Sequence, residues 1–192
     1  MMKNKKGLVL TEVLLAVSML MIAVMVLGTI IDSVVKMTAL SKNHLIAENL
    51  ATEAIEGVKN LRDTNWLQEP DDESCWRRKD PLLSCTGNDL IQPGGSYIVR
   101  QNAEDHWSVE EMPGELELED GVDNSYLLYI ENIGGVFDGY IHNGTAGSES
   151  MFYRSAYFEE ANDQILKFMV KVQWLEGTKV RGLERQVLLM NY

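Results

Sequence analysis

Between Leu8 and Ile31 the chain runs LVLTEVLLAVSMLMIAVMVLGTII, 24 consecutive positions with no proline and a single charged residue, Glu12. A helix rising about 1.5 Å per residue needs about 20 residues to cross a hydrocarbon core of about 30 Å, so this run reads as a membrane-spanning helix. Lys3, Lys5 and Lys6 precede it, and Asp32 opens its far flank. The positive-inside rule then keeps the short N-terminus in the cytoplasm and sends the chain after residue 32 across the membrane, N-in and C-out.

The exported part is strongly acidic. The 192 residues carry 17 Lys and Arg against 29 Asp and Glu, a formal net charge of −12, and residues 32–192 alone hold 14 bases and 28 acids. A basic footprint for nucleic acid is absent, so direct nucleic-acid binding is not expected, although a local basic spot such as Arg77-Arg78-Lys79 leaves it open. Outside the cytoplasm disulfides are permitted, and the two cysteines, Cys75 and Cys85, are expected to pair.

A secretory leader would have a shorter apolar core and a small-residue cleavage site behind it. No such site closes this run. The candidate processing point lies in front of it, at Lys5-Lys6-Gly7-Leu8, where a cut removes only the basic tip. Here the chain resembles the type IV pilin-like proteins, which comprise pilins, minor pilins and the pseudopilins of type II secretion and competence systems. The resemblance rests on Lys5-Lys6-Gly7, then Leu8 to Ala16, with a lone glutamate at the fifth position after the glycine. It departs from the family at Leu8, where phenylalanine is usual, and in placing a threonine at Thr11.

The resemblance implies that a prepilin peptidase cuts after Gly7 and methylates the new amine of Leu8, and that Glu12 is the assembly glutamate. It implies as partners other pilin or pseudopilin subunits and an inner-membrane assembly platform, with the chain stored in the membrane and then built into a cell-surface or periplasmic filament. A carboxylate in hydrocarbon costs about 2.5–3.5 kcal/mol, so Glu12 should have a compensating partner. The amine of Leu8 on a neighbouring subunit is the partner that the resemblance supplies. A plainer reading has Glu12 reaching water at the membrane edge of a single-pass anchor whose acidic extracytoplasmic domain binds or senses.

Beyond Asp32, Ile46, Leu50, Ala54, Val58 and Leu61 recur at helical steps, and no proline occurs before Pro70. One helix is therefore expected from Leu8 to Arg62, about 80 Å long, with residues 8–31 as its transmembrane half and 32–62 as an amphipathic half. Gly28 and Gly57 each weaken it by up to about 1 kcal/mol relative to alanine. Residues 63–95 are rich in turn formers and charge and read as a variable surface loop pinned by the disulfide. Residues 96–192 read as an antiparallel sheet domain.

Within that domain, Leu166, Phe168, Val170, Val172 and Trp174 alternate with Lys167, Lys171 and Gln173, the pattern of a half-buried strand. Glu176-Gly177 turns into a last strand over 179–190. With strands over 153–158, 126–131 and 136–141, the last pair turning at Gly134-Gly135, four or five strands in a meander are expected. The fold class is thus α+β: a long N-terminal helix packed on a C-terminal antiparallel sheet.

Motifs of chemistry are sparse. His44, His106 and His142 stand in no ligand spacing, His44 and Glu48 read as a solvated pair, and Glu115, Glu117 and Glu119 read as the wet face of a strand. Asp71-Asp72-Glu73 and Glu119-Asp120 with Asp123 lack a calcium-loop pattern, and Asn143-Gly144-Thr145 reads as a turn. Tyr126, Tyr129, Tyr140, Tyr153 and Tyr157 would either line a surface or enter the core. No nucleophile arrangement or phosphate loop appears, so no catalytic residue, metal or cofactor is assigned and no enzyme is expected.

Overall fold

The computed structural model of the chain describes residues 5–72, 74–101, 106–118, 124–133, 136–142 and 147–191. It is an α+β protein in which, among the described residues, one α-helix, α1 (Lys5–Gln68), is followed by seven strands. They are β1 (Ser96–Gln101), β2 (Trp107–Met112), β3 (Leu127–Ile133), β4 (Val136–Ile141), β5 (Ser148–Ala161), β6 (Ile165–Glu176) and β7 (Lys179–Met190). The chain divides into two compact units, Met1–Leu45 and Ile46–Tyr192.

The first unit holds the N-terminal part of α1 and no strand. From Leu10 to Ile31 its large apolar side chains are between 42 % and 72 % exposed. Ser18, Thr29, Ser33 and Thr38 turn their hydroxyls back onto carbonyls one turn earlier, which satisfies them within the helix itself. α1 continues past the expected end at Arg62 to Gln68, where Glu69 donates its amide to Asn65 O at 3.1 Å and Pro70 forbids a further turn.

In the second unit the residues of α1 from Ile46 onward lie on one face of the sheet. Leu50, Ala54, Val58 and Leu61 are buried at the expected helical steps, and Ala47 and Ala51 beside them are fully buried. Those alanines belong to the same buried cluster as Phe158, Phe168, Val170 and Val172 of the strands, all of them fully buried. Each large aliphatic side chain sealed there contributes about 1.5–3 kcal/mol. A second, smaller cluster lies apart from it: Ile98, Leu127 and Tyr153 of the strands with Leu116, Leu118 and Tyr126.

The sheet is wholly antiparallel but is not the simple meander expected. β5 is its centre, pairing β6 along Phe152–Ala161 and giving its other edge to β3 at Ser148–Tyr153 and to β1 at Ala156 and Tyr157. β1 in turn pairs β2, β3 pairs β4, and β6 pairs β7. The reason is length: β5 spans 14 residues, enough for two partners end to end on one edge. β6 follows its predicted alternation, except that Gln173 is also buried, and Gly177 at φ +63° makes the tight turn into β7.

Two further readings change. Glu115 and Glu117 alternate with buried Leu116 and Leu118 as a strand would, but this stretch pairs with no neighbour and is irregular. The expected surface loop inserts Trp76 and Ile91 into the main core, and its segment 77–79 bonds Asp89 O, Ile91 N and Val109 N. Of the tyrosines, Tyr126 and Tyr153 enter the core, one of the two outcomes left open for them.

Candidate functional site

Gly7, Leu8 and the two lysines ahead of them, Lys5 and Lys6, lie in the first turns of α1, while Lys3 falls outside the described residues. Glu12 is one turn beyond Leu8 and exposed. Positions 8 and 12 are four apart along the helix, the spacing of one turn. Around them every described residue from Leu10 to Lys42 is exposed, and α1 is the one helix among the described residues long and apolar enough to cross a membrane. Such a surface is stable in lipid or against other apolar helices and not in water.

The disulfide joins Cys75 to Cys85 with Cα atoms 4.9 Å apart. It closes a segment whose basic residues all turn inward. Arg77 donates to Ile91 O at 3.2 Å and to Asp163 Oδ1 at 3.1 Å. Arg78 reaches Leu83 O at 3.2 Å and Gln68 Oε1 at 3.0 Å, and Lys79 reaches Glu111 Oε2 at 2.6 Å. The local basic spot of the sequence is therefore a set of internal ties. Buried Asn65 of α1 completes the set, donating to Trp76 O at 3.3 Å and Arg78 O at 3.0 Å.

Asp72 lies near both cysteine sulfurs, but a disulfide offers no thiolate to a metal. The Asp72 carboxylate accepts from the Ser74 hydroxyl and amide at 2.7 and 2.9 Å, which holds its pKa below the ordinary value. Glu73, Glu119, Asp120, Asp123 and Asn143–Thr145 lie outside the described residues, as does the turn at Gly134-Gly135. Glu48, read as half of a pair with His44, is ion-paired with Arg185 of β7.

One polar centre was not anticipated. Arg154 of β5, its side chain 2 % exposed, stands on the apolar face between Phe152 and Ala156 and points at α1. It donates to Leu50 O and Glu53 Oε1 on the helix, each at 3.1 Å, to Val99 O of β1 at 3.0 Å, and to His142 Nε2 at 3.4 Å. Burial pulls its pKa down and Glu53 opposes that, and a guanidinium stays charged throughout. Nearby Arg100 of β1 is held by Glu110 of β2 at 2.8 Å. The signal was in the sequence: Phe152, Arg154, Ala156 and Phe158 share one strand face, with the arginine in an apolar register. With four of its five donors taken by protein acceptors, Arg154 is a clamp between helix and sheet.

No family model, curated protein or solved structure matches this chain.

Proposed function

We propose that this chain is a structural subunit, a minor pilin or pseudopilin, of a type IV pilus-like filament or a type II secretion or competence pseudopilus. The observation that carries the reading is Glu12, a lone carboxylate on an exposed apolar helix, one turn from a Gly7-Leu8 junction that follows two lysines. In this account a prepilin peptidase removes residues 1–7 and methylates Leu8. The new amine of one subunit meets Glu12 of the next in the apolar stem bundle, which offsets the cost of the buried carboxylate and sets the register. The chain waits in the membrane as a single-pass protein, N-in and C-out, and the assembly platform draws it into the filament. Its role is assembly and not catalysis.

The test is Glu12→Ala, which removes the charge without disturbing an apolar helix. Membrane insertion should be unchanged while stem-to-stem cross-linking in cells falls at least about tenfold, the equivalent of about 1.4 kcal/mol. Unchanged cross-linking would favour the rival, a single-pass anchor whose acidic extracytoplasmic domain binds or senses without joining a filament.

A further inference from the structure

The contact between His142 and Arg154 works in one protonation state only. His142 follows the last residue of β4, and its Nε2 accepts the Nε–H of Arg154 at 3.4 Å. A nitrogen that accepts carries no proton, so the ring is neutral here with its proton on Nδ1. That Nδ1 is sealed from solvent and has no hydrogen-bond partner among the described residues. Among the described residues the charged groups that act on the ring are cations: Arg154 from β5 and Arg100 from β1. The acids of the neighbourhood are engaged elsewhere, Glu53 of α1 on Arg154 and Glu110 of β2 on Arg100.

Among the described residues β4 pairs with β3, and Tyr140 packs edge-on against Phe152, with ring centroids 6.0 Å apart; His142 adds a tie from the end of the strand to Arg154. Protonating His142 would abolish the acceptor and set a third positive charge beside two arginines, whose carboxylate partners among the described residues are already engaged. We propose that His142 is an acid-sensitive latch: in its neutral form it ties the β3–β4 hairpin to the Arg154 clamp, and mild acid releases that hairpin while the helix-to-sheet contacts of Arg154 persist.

The sign follows from linkage. Burial first, then the charges of Arg154 and Arg100, push the histidine pKa well below its ordinary value of 6.5. The unfolded chain therefore takes up a proton that the folded one refuses. Stability is full above about pH 6.5 and is lost as pH falls toward the depressed folded value, the unfolding constant rising by up to about tenfold per pH unit. Carboxylates titrate lower, so a window from about pH 7.5 to about 5.5 isolates the histidine.

The experiment uses the full chain in detergent micelles, with hydrogen exchange read by mass spectrometry and denaturant unfolding read in parallel. Between pH 7.5 and 5.5, after correction for intrinsic exchange rates, peptides covering 136–142 should lose protection by about tenfold or more, while peptides from β6 lose little. His142→Gln should flatten that dependence, and a His44→Gln/His106→Gln double variant should retain it. Should His142→Gln fold poorly, the ring signal of His142 in the wild-type chain decides, with a titration midpoint below 6.5 expected. Protection of β4 that does not change with pH, a dependence that survives His142→Gln or vanishes in the double variant, or a midpoint at or above 6.5 would each overturn the proposal.

Discussion

Gly57 shows how one residue can reverse a general expectation. In the interior of a helix glycine is worth up to about 1 kcal/mol less than alanine, so the substitution should stabilise α1. Here a Cβ at Gly57 would lie 2.5 Å from Cε3 of Trp107 on β2, and Trp107 is packed against the main core. Gly57→Ala is expected to destabilise the Ile46–Tyr192 unit by about 1–3 kcal/mol, read as a lower denaturant midpoint. Gly28 meets nothing within 4 Å, so Gly28→Ala should leave that midpoint unchanged. The sequence shows both glycines but not this difference, because Trp107 is 50 positions from Gly57 and only the folded sheet brings them together. Arg154 was hidden for another reason: its strand was visible, but a charged residue in an apolar register reads as an irregularity until its partners on α1 and β1 are known.

At the level of elements, the disulfide segment does more than cover the surface. Trp76 is in the main core, its Nε1 donates to Asp163 O at 3.2 Å, and Cys75 beside it is 1 % exposed. Closing a loop of this length contributes about 3 kcal/mol in the chain-entropy model. A Cys75→Ser/Cys85→Ser double variant should lose about that much unfolding free energy, and reducing the wild-type chain should cause a similar loss. A change below about 1 kcal/mol in both would mean that the packing of Trp76 and the ties from Asn65 hold the segment unaided. Long periodic elements were legible: α1 from its unbroken apolar steps, and β6 and β7 from alternation around Gly177. β1 and β2 were not. Their short runs, Ser96–Gln101 and Trp107–Met112, carry Arg100, Glu110 and Glu111, and tertiary pairing rather than local pattern makes them strands.

On the scale of the molecule, two kinds of surface coexist in one chain. One is a helix whose apolar residues from Leu10 to Ile31 are all exposed; the other is an acidic unit whose bases at 77–79 turn inward. That combination suits a subunit stored by its stem in a membrane. In the proposed account the cut falls ahead of the apolar run, and not behind it, which would keep the stem on the mature protein. The spacing of Gly7, Leu8 and Glu12 stands out in the sequence because a lone carboxylate in hydrocarbon calls for a reason. The use proposed for it depends on chemistry at a terminus that only processing would create. The most direct measurement is the amino end of the protein recovered from the cells that make it, by intact mass and terminal fragment sequencing. The account predicts a chain beginning at Leu8 with one methyl group on its amine; a chain that still begins before Gly7, or one cut beyond Ile31, would contradict it.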